Sequence, residues 1–222
     1  MKLYSGPLSL FTGKVRIALD EKGIAYELVS VPFSRVNGYQ PKHPDVLAAN
    51  PKGQVPVLVD GDLTVFDSTI ILEYLEDRYP TPALYPADAA ERARCRQLEA
   101  AADEILFPFV FELIQEVFYK ASPAGRNEAR IASARAGIAA HYDGLERNLG
   151  TRPYLCGGFS VADIGYFLTI TFATGLGAPL GDAHQRLQAW YDRVRDRPAV
   201  TKEAMGLAAA MTAVGTPTAA SA

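Results

Sequence analysis

The stretch Asn50-Pro51-Lys52-Gly53-Gln54-Val55-Pro56-Val57-Leu58 decides how the first part of the chain reads. It runs from a polar, proline-bearing segment straight into an apolar one, so a loop is followed at once by a strand. A Val-Pro bond at that junction has two readings. Either it is a cis peptide that leaves the preceding backbone N–H and C=O open to an extended ligand, or Pro56 simply begins an edge strand, where no ladder donor is needed. Working outward, Val57-Leu58-Val59 and Leu63-Thr64-Val65-Phe66 flank Asp60-Gly61-Asp62, a hairpin signal because glycine tolerates the positive φ of a tight turn. Asp67 is placed to cap a helix whose buried stripe is Ile71 and Leu75 and which stops before Pro80. Upstream, Lys2–Tyr4 and Ala25–Val31 read as strands. Between them Val15, Ala18, Leu19 and Lys22 follow helical spacing up to Gly23. Weak helical character at 45–49 completes a βαβαββα order, which implies a mixed sheet with helices on its faces.

Beyond Pro80-Thr81-Pro82 no further strand is predicted. Leu98, Ala101, Ile105 and Phe109 recur at helical spacing, and Ile131, Ala134, Ile138, Tyr142, Leu145 and Leu149 continue it over a second helix. Ser122-Pro-Ala-Gly125 separates the two, and Pro108 is a candidate kink in the first. Ser160-Val-Ala-Asp163 resembles a capping box ahead of the apolar segment Ile164–Phe172. The fold class is therefore α/β followed by all-α. Residues 1–80 form the first domain, 81–86 a linker, 87–212 a helical domain and 213–222 a flexible tail.

Composition narrows the partners. The 222 residues carry 22 Lys+Arg against 25 Asp+Glu, a net charge of −3, which argues against nucleic-acid binding by bulk electrostatics. The uncharged run Ile164–Gly181 is broken by glycines and Pro179, so it reads as a buried helix and loop, with no membrane association. No apolar stretch of secretory type follows the first residues. Two cysteines, Cys95 and Cys156, are too few for a disulfide framework; both read as small buried hydrophobes in a reducing, cytoplasmic setting.

Four motifs in register carry a family resemblance: Lys14-Val-Arg-Ile-Ala-Leu19, Asn50-Pro-x-Gly-x-Val-Pro56, Asp67-Ser68-x-x-Ile71 and Gly158-x-Ser160-x-Ala-Asp163-Ile. Across residues 2 to 200 the chain resembles the glutathione S-transferase family, and in pattern the cytosolic, serine-type theta and phi members. The resemblance implies a thioredoxin-like first domain, an all-helical second domain and a homodimer. It implies an enzyme that activates the thiol of glutathione as a thiolate for attack on a small hydrophobic electrophile, a detoxification chemistry. No metal is implied, and no cofactor beyond glutathione as co-substrate.

On that resemblance Ser9 is the catalytic hydroxyl, with Thr12 and Tyr4 as the alternatives. Lys42, Lys52, Gln54, Val55, Pro56, Asp67 and Ser68 are the glutathione-binding set: Val55 through its backbone, Asp67 and Ser68 at the γ-glutamyl end, and the lysines at the glycine carboxylate. Phe11 and Phe111 are chosen for the second substrate from an aromatic set that includes Phe107, Phe118, Tyr119 and Tyr166. Ser160 and Asp163 are structural caps. Residues 1–94 contain no cysteine, so chemistry that needs a mixed disulfide on the first helix is disfavoured. The alternatives on the same fold are a glutathione-dependent isomerase, dehalogenase or ether-cleaving enzyme, and a non-catalytic binding member. Ser9-Leu10-Phe11 departs from the Ser-Ser-Cys run of the zeta-type isomerases.

Overall fold

Strands β1 (Lys2–Ser5), β2 (Glu27–Ser30), β3 (Val57–Asp60) and β4 (Leu63–Phe66) form one sheet in the order β2-β1-β3-β4. This computed structural model describes residues 1–120 and 122–214. β1 runs parallel to β2 and antiparallel to β3, and β3 and β4 make the expected hairpin around Gly61, whose φ is +60°. Helices α1 (Leu10–Glu21), α2 (Pro44–Ala49) and α3 (Ser68–Arg78) complete the βαβαββα order. Val15, Ala18, Leu19, Ile71 and Leu75 are fully buried, as their helical spacing requires. The second strand is shorter than its apolar run, because three of its four residues are exposed and only the central part pairs with β1.

The first compact unit comprises Met1–Leu84 and the C-terminal helix α9 (Pro198–Ala213). The helical segment expected at 87–212 therefore does not group as one body: its last helix returns to α1. There the Arg16 guanidinium donates through Nε and Nη2 to the Glu203 carboxylate and through Nη1 to Ser5 Oγ, and Lys202 donates to Asp20 at 2.7 Å. At the other end of α1, Lys22 Nζ is buried and donates to Glu76 Oε2 (2.7 Å), Tyr79 O (2.7 Å) and Pro82 O (2.9 Å). A buried cation surrounded by acceptors is tolerable, and it ties α1 to the segment that leaves α3. The expected tail lies outside the described residues from 215 onward.

The second unit, Tyr85–Arg197, is helical. Its first long helix consists of α4 (Ala89–Ala101), a π turn Ala102–Leu106, α5 (Phe107–Leu113) and a second π turn Ile114–Phe118. The first π turn has a local cause. Pro108 has no N–H to offer Glu104, and the preceding Phe107 N–H bonds back to Ala102 O. The buried stripe is Cys95, Glu99, Ala102, Leu106, Val110 and Leu113. This corrects the expected stripe of Leu98, Ala101, Ile105 and Phe109, for Ile105 is 54% exposed. Both faces of this helix are apolar at helical spacing, so periodicity alone selects neither.

Helix α6 (Glu128–Leu149) buries all six residues of its expected stripe. Helix α7 (Val161–Gly175) is buried on almost every side, and its polar Thr169 satisfies its hydroxyl by donating to Gly165 O at 2.9 Å. Helix α8 (Gln185–Arg195) buries Leu187, Trp190 and Val194.

Asp163, fully buried, is the polar centre of this unit. Its Oδ2 accepts the Ser160 N–H (2.9 Å) and the Ser160 hydroxyl (2.8 Å), and its Oδ1 accepts the Leu155 N–H (2.9 Å) and Trp190 Nε1–H (2.7 Å). Asp163→Ala removes the acceptor from three buried N–H donors, each worth about 1–3 kcal/mol when stranded. The expected outcome is a large fall in the urea midpoint, while any protein that remains folded keeps its turnover per folded molecule. Equilibrium unfolding beside an active-site titration checks this.

Candidate active site

The register of the sheet assembles the site. Tyr4 pairs with Val57 and Val57 with Phe66, so the segment after β1, the segment before β3 and the segment after β4 all leave the same end of the sheet. Ser9, Val55-Pro56 and Asp67-Ser68 lie on those three segments.

Ser9 is the N-cap residue of α1. It is extended (φ −100°, ψ 107°), buried, and its Oγ accepts the Thr12 N–H at 3.2 Å. Its loop is held from outside: Leu8 N–H donates to Tyr39 Oη (3.2 Å), and Ser9 N–H to Gly6 O (3.3 Å). A Cβ on Gly6 would strike the end of the Tyr39 ring, so a larger residue there would displace the hydroxyl that holds Leu8. Gly6 and Tyr39 are positioning residues that no local pattern in the sequence marks, since they meet across 33 positions.

The alternatives to Ser9 are occupied or enclosed. Tyr4 belongs to a core cluster with Val31, Val46 and Val57, and its hydroxyl donates to Asp45 Oδ2 at 2.7 Å. That bond to a carboxylate, with burial, raises the phenol above its ordinary range. Thr12 is fully buried, and its Oγ1 has no partner among the described residues.

The Val55–Pro56 peptide is cis, which resolves the two readings of the motif. Neither the Val55 N–H nor its C=O is bonded to the described chain. The loop before it is stapled by buried Asn50, whose Oδ1 accepts the Lys52 N–H (3.0 Å), whose Nδ2 donates to Gln54 O (2.8 Å) and whose C=O accepts the Gly53 N–H (2.7 Å). Asn50 is the residue of the motif whose work the sequence left unread. Gly53 stands at φ +59°, with the stem of Lys42 lying over it. Lys52 and Gln54 are exposed and Lys42 half-buried; neither lysine is paired with an acid among the described residues.

Asp67 is the sole non-glycine residue at positive φ among the described residues, with φ 75° and ψ 126°. A conformation of that kind costs about 1–3 kcal/mol and is held only by its surroundings. Here Asp67 Oδ1 accepts the Thr69 N–H at 3.0 Å at the start of α3. Buried Ser68 follows, with its hydroxyl unpartnered among the described residues. The first turn of α1 contains no acidic side chain, so its positive end stays available to an anion, whereas the end of α3 is capped by the Asp67 carboxylate.

Of the aromatic candidates, Phe11 is half-buried in the first unit, with Lys14 Nζ 5.9 Å from its ring centroid. Phe111, in the second unit, is 46% exposed and its ring centroid lies 6.0 Å from that of Phe107. Phe118 and Tyr166 are core residues instead: Phe118 packs edge-on against Tyr119, and the Tyr166 hydroxyl bonds to His141 Nε2 at 3.0 Å. Ser160 and Asp163 lie in the second unit, in the network described above. No group of three or more His, Cys, Asp or Glu among the described residues is arranged to hold a metal ion, and no described helix is long and apolar enough to cross a membrane.

The family profile of the glutathione S-transferase N-terminal domain matches residues 3–83, and that of the C-terminal domain residues 126–193. Glutathione S-transferase 4 of Zea mays is 33% identical over 209 residues, which span 92% of each chain. A stringent starvation protein A homolog of Coxiella burnetii is 44% identical over 98 residues, so this chain spans 44% of that relative's length. Among solved structures, a theta class glutathione S-transferase from Xanthomonas axonopodis pv. citri with glutathione bound superposes with a TM-score of 0.80 at 30% identity, over 92% of this chain and 96% of that one.

Asn50→Ala removes the side-chain partner of the part-buried Lys52 N–H and Gln54 C=O, at about 0.5–1.5 kcal/mol for each bond lost. The expected result is faster amide hydrogen exchange at Lys52 and Gly53, with exchange on β1 and β3 unchanged.

Proposed function

The chain belongs to the glutathione S-transferase family, and from that premise we propose that Ser9 activates the thiol of glutathione for attack on a hydrophobic electrophile. The carrying observation is the division of labour at Ser9: its oxygen accepts the Thr12 N–H, so its own proton remains free to donate. A thiol of pKa about 8.5 is only a few per cent ionised at neutral pH. Lowering it by about two units takes about 2.7 kcal/mol of preferential thiolate stabilisation. One charge-assisted hydrogen bond supplies about 1.5–3 kcal/mol, and the positive end of α1 adds to it.

The other candidates take the rest of the tripeptide. The unbonded N–H and C=O of Val55 pair with the cysteinyl backbone as a strand would, with Pro56 fixing that edge. Asp67 meets the γ-glutamyl ammonium, while Ser68, the start of α3 and Gln54 hold its carboxylate end. Lys42 and Lys52 attract the glycine carboxylate. Phe11 and Phe111 offer apolar surface to the electrophile. No cofactor beyond glutathione enters this scheme, and the setting is the cytoplasm, where two free thiols stay reduced.

We place this chain in a homodimer. Phe66 (37% exposed) and Ile70 (52%) on the first unit, and Ile105 (54%) on the second, are large apolar side chains left open to water. Light scattering after size exclusion is expected to give a dimer mass for the wild type and a monomer mass for Ile70→Lys with Ile105→Lys; a monomeric wild type would refute the placement.

A second reading on the same fold is a non-catalytic glutathione- or ligand-binding member; one relative over part of the chain, the stringent starvation protein A homolog, does not carry a transferase name. Turnover separates the two. Against a panel of electrophiles that includes substrates for conjugation, isomerisation, dehalogenation and ether cleavage, the wild type is expected to turn over at least one. Ser9→Ala is expected to lower kcat by about 10- to 150-fold, the equivalent of 1.5–3 kcal/mol, with glutathione affinity largely intact. Full turnover in that variant transfers the role away from Ser9, and no turnover by the wild type favours the binding member.

A further inference from the structure

The C-terminal helix carries a polar contact that the glutathione scheme leaves unused. Glu203 on α9 is buried, and it shares one face of that helix with the buried Ala199, Val200 and Leu207. Its two carboxylate oxygens take both Nε–H, at 2.8 Å, and Nη2–H of Arg16 on α1, a two-pronged ion pair. The third prong of the same guanidinium, Nη1, donates to Ser5 Oγ at 2.8 Å. Ser5 is itself buried at the end of β1, where its C=O accepts the Val31 N–H at 2.8 Å. A carboxylate is costly to bury unless it is paired, so Glu203 is committed to the arginine.

The groups that Arg16 joins stand on either side of the loop that presents Ser9. Ser5 closes β1, Gly6-Pro7-Leu8 follow, and Ser9 caps α1. Arg16 lies seven positions after Ser9, two turns along α1 and on the same side of it. Its bond to Ser5 therefore clasps the strand before the loop to the helix after it. Three residues between those anchors leave little slack, so a shift of the end of β1 against α1 is passed on to Ser9. Tyr39 holds the same loop from another side, through the Leu8 N–H at 3.2 Å. An arginine side chain can rotate about several bonds, but a two-pronged carboxylate fixes the plane of its guanidinium. Glu203 sets that plane.

We propose that Glu203 is a positioning residue of the candidate active site, acting through Arg16 and Ser5 to fix the loop that presents the Ser9 hydroxyl. The inference rests on the assignment of Ser9 to thiol activation. It makes the last helix of the first unit part of the framework of the site, although Glu203 stands 187 positions from the arginine it holds. Glu203→Gln has two effects of opposite sign. Removing a negative charge favours the thiolate and by itself lowers the pKa of the bound thiol. Loosening the Ser9 loop deprives the thiolate of a well-aimed hydrogen bond and raises it. The direction of the shift thus separates positioning from charge. The groups assigned to the rest of glutathione, Val55, Asp67 and Ser68, lie on other segments, so its binding is left as it is.

The test is an ultraviolet titration of the thiolate of bound glutathione in the full chain, beside kcat and KM for an electrophile that the wild type accepts. Glu203→Gln is expected to raise the pH at which the bound thiol ionises by about one unit, a tenfold change in the ionisation constant, with the KM for glutathione unchanged. Its deficit in kcat is expected to disappear at high pH, where both proteins hold the thiolate, a recovery that a mere loss of folded protein would not show. Ser5→Ala, which removes the last link and spares the ion pair, is expected to shift ionisation the same way, and the double variant no further than the larger single effect. Lys202→Ala breaks the other polar tie between α9 and α1, the bond to Asp20, and is expected to leave ionisation at the wild-type pH. A wild type whose bound thiol ionises like free glutathione refutes the Ser9 reading and this inference with it. Where the wild type does lower that pH, an unshifted or lowered value in Glu203→Gln, or an equal rise in Lys202→Ala, overturns this inference alone. Ser5→Ala decides the matter if Glu203→Gln does not fold, and the absence of a rise in that variant overturns the inference as well.

Discussion

The antiparallel placement of β3 between β1 and β4 is the constraint on which the site depends. Pairing of Tyr4 with Val57 and of Val57 with Phe66 brings three chain segments to one end of the sheet, though the first lies some fifty positions before the other two in sequence. A slip of one residue in either ladder would turn every side chain of the shifted strand to the opposite face and exchange Leu3 with Tyr4, or Leu58 with Val57, between two buried faces that each fit only one of them. The apolar core therefore enforces the register, and the register positions Ser9, Val55 and Asp67. The geometry of the candidate site is here a consequence of burial.

Each of those segments is then held by polar groups of the chain itself. Tyr39 anchors the turn before Ser9, Asn50 staples the loop before Val55, and Asp67 closes the first turn of α3 while standing at positive φ. With their own bonds satisfied by the chain, these groups leave open what a peptide-like anion needs: one hydroxyl proton, one unpaired backbone N–H and C=O, and the positive end of α1. The same logic disposes of Tyr4, whose proton is committed to Asp45. An unspent proton distinguishes Ser9 from Tyr4, and Thr12 differs from Ser9 by being fully enclosed.

What was legible in the sequence was local. The hairpin around Gly61, the cap at Asp67 and the six-residue stripe of α6 depend on neighbours within one or two turns, and each has a pattern of its own. The buried face of α4 and α5 was not legible, because the helix has two apolar faces and only its packing partners choose between them. The return of α9 was equally hidden: Arg16 and Glu203 meet across 187 positions, and nothing near either residue announces the other.

The most direct test of the account is the ionisation of glutathione in the bound state, followed by ultraviolet difference absorbance of the thiolate across a pH titration. In the wild-type complex the thiol is expected to ionise about two units below its free value of about 8.5, and in Ser9→Ala to return most of the way to it. A bound thiol that ionises at the same pH with and without the Ser9 hydroxyl would contradict the account.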